Sequence, residues 1–387
     1  MTTQKISFYN LAWRWHFYAG LFVAPFMVLL ALTGIIYLFK PQLDPLMYGD
    51  LLTVPAAEHA LSADEQLQRA KAAYPQGAIS KYLPPADTTS SAQFVMHQGG
   101  REVTVFVDPY RGTVLGEQDA KNNLQAIARA LHGELMIGTV GDRLIELAAG
   151  WGVMLVVSGL YLWWPRGKSS AGVLWPRFTA RGRVFWRDLH TVAGFWGAAF
   201  LLVMLLSGMT WTGFWGKQYA DVWNTFPAAM WNNVPQSDQQ ARVLNTASQQ
   251  TVPWAMENTP MPMSGDHAEH MAHNAADTAP AAPSISLQAV QDIARQRQVE
   301  PGYSITLPKT ATGVFTIAVF ADNPRNDATL HVDQYSGKVL ADVRWQDYSP
   351  VARATELGVM LHEGKMFGAF NQIIILLVCL MILLGSV

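Results

Sequence analysis

The chain is 387 residues long and carries a formal charge of -2, from 27 basic and 29 acidic side chains. That balance excludes a general affinity for nucleic acid, which needs a basic excess to meet the phosphate backbone. The single cysteine, Cys379, excludes disulfide frameworks, thiolate zinc sites and iron–sulfur clusters.

Half of the residues are apolar and only 14% are charged, against about 25% in a soluble domain. Mean hydropathy is nevertheless only +0.11. This combination predicts membrane helices diluted by polar segments.

Residues 1–40 contain the first long charge-free run, Phe17 to Phe39. It is long enough to span a bilayer. It is too long for a cleavable signal, and Lys40, Pro41 and Leu43 follow it in place of a small-residue cleavage site. Residues 41–122 read as a polar α+β module. Ser62 to Ala73 is helical in pattern, and Thr104 to Leu115 reads as strand, turn, strand. Residues 123–165 hold a short histidine-bearing helix and a second span, Leu147 to Trp164.

The loop at 166–187 carries Arg166, Lys168, Arg177, Arg181, Arg183 and Arg187, with no acid before Asp188. The positive-inside rule puts this loop, and with it the N-terminus, in the cytoplasm. Trp13, Trp15, Trp163, Trp164, Trp175 and Trp186 cluster at that boundary as an aromatic belt. The third span lies within 188–216. Residues 217–350 form a second α+β module on the outer side, interrupted by a His/Met-rich linker at 254–283. Residues 351–387 supply another short helix and a fourth span, Met366 to Val387. The predicted fold is a four-helix transmembrane bundle with two small α+β periplasmic modules.

The two halves repeat. His16 with Ala19, Gly20, Leu32, Thr33 and Gly34 matches His190 with Ala193, Gly194, Leu206, Ser207 and Gly208, as H-x2-A-G-x11-L-[ST]-G. V-D-x-Y-x-G-x-V-L occurs at Val107 and at Val332. L-H-x3-M-x-G occurs at Leu131 and at Leu361. Both halves run in the same direction, so the repeat is parallel.

The repeat places His16 and His190 at the cytoplasmic start of outward-running helices. It places His132 and His362 at the outer start of inward-running ones. Two-fold symmetry pairs them across the axis. Ionisable residues at a span are costly and point to function. Two haem b groups fit this spacing. Gly20 and Gly194 leave room one turn beyond the first pair. Gly34 and Gly208 lie 18 residues on, about 27 Å higher at 1.5 Å per residue. Arg14 and Arg187 stand ready for propionates. Interfacial histidines bonded to carbonyls, a proton relay, a bare metal ion and ligation by Met136 or Met366 stay open as alternatives.

In the linker, His267, His270, Met271 and His273 suit a soft or borderline metal or are simply solvated. His331, which replaces Phe106 of the first module, is read as a surface or structural residue, the surface reading having it line an outer binding face. No nucleotide-binding fingerprint occurs. Reducing equivalents would therefore come from a quinol or another protein.

The V-D-x-Y-x-G-x-V-L cores resemble PepSY modules. The spans, with R-x-H at the first, L-H before the second and Y-L-W-W-P-R from Tyr161 to Arg166, resemble the PepSY-associated transmembrane family over nearly the whole chain. Within it, the chain is similar to the FoxB-type siderophore reductases of the bacterial inner membrane. The resemblance implies haem-bound histidines, a periplasmic ferric siderophore as substrate and release of Fe(II). The His/Met insert lies outside that pattern. A regulatory PepSY scaffold without cofactor and a permease for metals or iron chelates are the other classes. The scaffold leaves the membrane histidines without a role. The permease is poorly served by spans with few polar groups beyond Thr33, Ser158, Ser207 and Asn371.

Overall fold

The computed structural model describes residues 7–165, 171–223, 234–245, 250–265 and 284–386. The chain divides into two compact units. One comprises residues 1–40, 127–219 and 358–387, and the other residues 41–126 and 220–357.

The first unit is helical. Helix α1 spans Phe8–Leu38 and is N-capped by Ser7, whose hydroxyl accepts from the Asn10 amide. Helix α2, Lys40–Leu52, follows almost without a break and belongs mostly to the second unit. Among the described residues, three helices are long and apolar enough to cross a membrane: Phe8–Leu38, Thr139–Trp163 and Arg183–Met209. Each begins before its charge-free run. The first therefore includes Arg14, and the second Asp142, Arg143 and Glu146. The fourth expected span is an apolar helix of 17 residues, Ala369–Gly385.

In chain order, the remaining helices are α3 (Ala63–Ala73), α4 (Leu124–Glu134), α5 (Thr139–Trp163), α6 (Arg183–Met209), α7 (Trp215–Trp223), α8 (Leu287–Gln296), α9 (Pro350–His362) and α10 (Ala369–Gly385). Helix α1 packs on α5 and α10, and α6 packs on the same two, so α1 and α6 stand opposite each other. Between them, together with α5, lies an apolar cluster of Val23, Met27, Ala149, Val156, Ala198 and Leu205.

The second unit is built on one eight-stranded sheet. Its strands are β1 (Ala78–Leu83), β2 (Ala92–Gln98), β3 (Arg101–Val107), β4 (Val114–Asp119), β7 (Ser304–Thr306), β8 (Val314–Val319), β9 (Ala328–Asp333) and β10 (Val339–Arg344). A separate two-stranded pair joins β5 (Gln236–Gln240) to β6 (Pro260–Pro262).

The large sheet runs β10-β9-β8-β7-β1-β2-β3-β4. Two four-stranded meanders are thus joined antiparallel at β1 and β7, with Lys81 opposite Thr306 and Tyr82 opposite Ile305. Alternation puts Ala92, Phe94 and Met96 of β2, Val103, Val105 and Val107 of β3, and Leu330 and Val332 of β9 on one face. Helices α3 and α8 cover that face through Ala63, Ala70, Leu287, Val290 and Ala294.

The contacts at the two helix starts are reciprocal. The Asp64 carboxylate accepts from the Leu287 and Gln288 amides, and the Gln288 side-chain oxygen accepts from the Ala63 amide. In each V-D-x-Y-x-G turn the aspartate accepts the amides two and three residues on: Tyr110 and Arg111 for Asp108, Tyr335 and Ser336 for Asp333. Gly112 and Gly337 take the left-handed backbone there, φ 69° and 71°.

Tyr82 faces the core, so its neighbour Lys81 faces the other side. There Lys81 is buried and donates to the Leu244 carbonyl and the Thr251 hydroxyl. Desolvation pushes its ammonium pKa down to about 8.

Of the two readings of His331, the structure agrees with the structural one and not with the outer surface. It is fully buried on β9 opposite Thr316 and hydrogen-bonded to that hydroxyl at 3.0 Å. Strands β8 and β9 are buried on both faces, which leaves no open side for it. The ends of the His/Met linker meet at one place. Ser264 Oγ accepts from the Gln334 amide, and the Ile285 amide donates to the Gln334 carbonyl. His267, His270, Met271 and His273 lie outside the described residues.

Candidate functional site

Four histidines converge in the helical unit as two pairs. The ring centroids of His16 and His190 are 6.3 Å apart at 82°, and those of His132 and His362 are 6.2 Å apart at 87°. His16 and His190 come from the opposed helices α1 and α6. His132 and His362 sit in the last turns of α4 and α9.

Each ring is held by its Nδ1 atom. His16 Nδ1 lies 2.9 Å from Ser158 Oγ, His132 Nδ1 2.9 Å from Thr33 Oγ1, and His362 Nδ1 3.0 Å from Ser207 Oγ. His190 Nδ1 lies 2.9 Å from the Gly385 carbonyl oxygen.

The hydroxyl partners settle the tautomer. In each case the hydroxyl proton is already given to the carbonyl four residues back: Thr33 to Leu29 at 2.7 Å, Ser158 to Met154 at 2.8 Å, Ser207 to Val203 at 2.6 Å. What the hydroxyl offers the ring is a lone pair. A carbonyl oxygen likewise can only accept. All four Nδ1 atoms must therefore be N–H donors, which leaves the lone pair on Nε2. None of the four Nε2 atoms has a hydrogen-bond partner among the described residues. Neutral imidazole with a bare Nε2 and a committed Nδ1–H is the form that binds a metal.

The spacing agrees with that form. A metal–imidazole bond of about 2.0 Å, plus about 1.1 Å from nitrogen to ring centre, sets two opposed imidazoles about 6.2 Å apart, centre to centre.

Glycines make room for the rings. A Cβ built on Gly159 would lie 3.2 Å from His16 Cε1, and one on Gly208 3.2 Å from His362 Cε1. One on Gly34 would lie 3.6 Å from His132 Cε1, and one on Gly385 3.7 Å from His190 Nδ1. Gly34 and Gly208 thus seat the imidazoles of the second pair. Gly20 and Gly194, one turn from the first pair, have open space where a side chain would stand. Sequence reasoning missed Ser158, Gly159 and Gly385. The [ST]-G dipeptide recurs at Thr33, Ser158 and Ser207, and that recurrence was the available signal.

Of the two arginines, Arg14 is exposed and makes no ion pair or hydrogen bond among the described residues. Arg187 reaches Asp188 at 3.1 Å, beside the two-pronged contact of Arg177 at 2.6 and 2.8 Å. Asp188 is 1% exposed and stands two residues before His190. Met136 is 57% exposed.

Polar groups stand beside both connectors of the second pair: Glu363 pairs with Lys365 at 2.7 Å just after His362, and Glu146 anchors the turn after α6. Glu146, 6% exposed, accepts from Thr212 Oγ1 at 2.7 Å, the Trp215 amide at 2.5 Å and Arg143 at 2.8 Å. Asp142 accepts from the Gly213 amide at 3.1 Å. These bonds hold the turn after α6, and Trp211 at its start lies 5.9 Å from the His362 ring.

Long apolar helices, a sheet-rich region and a duplicated set of histidines define a membrane-type protein. The chain matches the PepSY-associated TM region family over residues 13–387. It belongs to that family. No curated protein matches the chain.

Proposed function

We propose that the protein is a di-haem b oxidoreductase of the bacterial inner membrane. In this reading it carries electrons across the bilayer to the iron of a periplasmic ferric siderophore. The observation that carries the reading is the four paired imidazoles, every Nδ1 committed and every Nε2 bare. Bis-imidazole ligation is one way a protein holds haem iron, and bound haem supplies a one-electron couple.

His16 and His190 would hold one haem, His132 and His362 the other. Gly20 and Gly194 would let a flat ring approach the backbone, and Arg14 and Arg187 would be available to its propionates, Arg187 while shared with Asp188.

The chain's own work is to orient four imidazoles, fix their tautomers and keep water out between them. The apolar contact of Val23, Met27, Ala149, Val156, Ala198 and Leu205 serves the last purpose. Along α1, from His16 to Gly34, the two sites are about 27 Å apart at 1.5 Å per residue. That is nearly the ~30 Å hydrocarbon core. Helix α10, about 25 Å long on the same rise, serves as the fourth span of the bundle. The basic loop faces the cytoplasm, and the two meanders are a pair of PepSY modules on the periplasmic side. Electrons enter from a quinol or a partner protein. The reduced iron leaves because hard oxygen ligands hold Fe(II) far more weakly than Fe(III).

The test is a pyridine haemochrome and a reduced-minus-oxidised spectrum of the purified protein, with a ferric chelate reduction assay. A b-type spectrum with two haems per chain is expected. His132→Ala or His362→Ala should remove one haem together with the reductase activity. A protein with no Soret band, and substitutions without effect, would overturn the reading.

A further inference from the structure

We infer that His132 is the displaceable ligand of the second pair, so that this site can open one coordination position to a small ligand such as carbon monoxide while His362 stays in place. The inference rests on the two-haem reading above.

The two connectors that carry these histidines share the pattern L-H-x3-M-x-G but not the backbone. After His362, the chain turns left-handed only at Gly364, φ 76°, and Gly368, φ 56°. After His132, the glycine comes one residue earlier, at Gly133, where it is spent inside α4. The left-handed conformation therefore falls on two consecutive residues with side chains, Leu135 at φ 53° and Met136 at φ 58°. Each such residue costs about an order of magnitude in population relative to a relaxed backbone. The pair stands three and four residues from His132. Strain of this kind persists only where surrounding structure enforces it.

The opposite ligand is gripped. The Trp211 ring packs on His362, and the turn that carries Trp211 is tied down by Glu146 and Asp142. Gly208 seats His362 more tightly than Gly34 seats His132, 3.2 Å against 3.6 Å. Among the described residues no aromatic ring other than His362 lies against His132. A connector that rearranges as His132 withdraws sheds the cost of Leu135 and Met136 along with the backbone bonds that hold the turn, Met136 N–H to the Ala130 carbonyl at 3.2 Å and Ile137 N–H to the Glu134 carbonyl at 3.0 Å. The exchange would be one dative bond for another, His132 Nε2 giving up its place to the carbon of carbon monoxide with no electron transferred.

The test uses the full-length, haem-loaded protein reduced with dithionite, with carbon monoxide as probe and the Soret band as readout. One of the two haems should form a carbonyl complex. Leu135→Gly and Met136→Gly, which remove the strain, should keep both haems and bind carbon monoxide about tenfold more slowly. A normal b-type spectrum with no carbonyl band overturns the inference and leaves the two-haem reading standing. So does a carbonyl rate unchanged in both variants. Absence of the b-type spectrum overturns both.

Discussion

Thr33→Val tests the tautomer argument at a single atom. Valine keeps the shape of threonine and removes the lone pair that receives the His132 Nδ1–H at 2.9 Å. The hydroxyl's own bond to the Leu29 carbonyl disappears too, but that carbonyl keeps its place in the helix ladder. The significant loss is the hydroxyl acceptor of a buried N–H, which then has only the Leu30 carbonyl beside it, about 1–3 kcal/mol. Each 1.4 kcal/mol is about tenfold in affinity, so the second haem should bind about 10- to 100-fold more weakly. That is the usual effect of removing the partner behind a ligating histidine. The imidazole also becomes a poorer donor, which favours Fe(II). The midpoint potential of that haem should rise, by about 60 mV for each tenfold difference between the two oxidation states. Haem titration of the apoprotein and a potentiometric titration measure both quantities. Thr33→Ser should restore them. If Thr33→Val leaves haem affinity and both potentials unchanged, the hydroxyl does not set the state of the ring, and the argument for metal-ready imidazoles loses its basis.

Other outcomes follow from the same geometry. A Cβ on Gly141 would lie 1.8 Å from the Glu134 carbonyl oxygen, at the end of the helix that carries His132. Gly141→Ala should destabilise by about 2–3 kcal/mol or more, whereas Gly150→Ala, in open space, should be neutral or slightly stabilising; thermal melts in detergent compare them, and equal melting temperatures would contradict the packing. Near-perpendicular imidazoles, 82° and 87°, leave two iron d orbitals almost degenerate. The oxidised protein should therefore give strongly anisotropic low-spin EPR signals at low field, and well-resolved rhombic spectra from both haems would count against these angles. His331 has its pKa pushed down to about 3 by burial, from 6.5. Between those values the unfolded chain binds the extra proton, so stability falls as pH drops from about 6.5 towards 3. His331→Phe, the residue type of the first meander at that position, should flatten this part of the pH–stability curve, and an unaltered acid limb would show that another group governs it.

Much of the helical unit was legible in the sequence because membrane spans depend on local composition, and the paired histidines because duplication repeats them at matched spacing. The helix starts were less legible. Arg14, Asp142, Arg143 and Glu146 sit inside helices, where a search for charge-free runs stops short. Ser158 and Gly159 escaped because their role exists only across the contact between α1 and α5, 142 residues apart for the Ser158–His16 bond. The strand, turn and strand around Asp108 and Asp333 carry their own turn chemistry and were readable. The β1–β7 joint was not, since it rests on a short register, Lys81 to Thr306 and Tyr82 to Ile305, with no local signature. The choice between a structural and a surface His331 stayed open for a related reason: a histidine replacing a phenylalanine looks polar and exposed, but a threonine on the neighbouring strand satisfies it in the core.

The reciprocal bonds between Asp64 and Gln288 at the starts of α3 and α8 are what an isologous dimer contact looks like, in which each partner offers the other the same patch. Here both partners are one chain. In a true dimer of identical subunits, the carboxylates and arginine at Asp142, Arg143 and Glu146 would occur on both flanks of the second histidine pair. Counting from Gly138 and Gly368, the matching places hold Gln372, Ile373 and Leu376. The chain places a charged trio, Asp142, Arg143 and Glu146, where the matching positions are uncharged, while the connector after His362 carries an ion pair of its own, Glu363 to Lys365 at 2.7 Å.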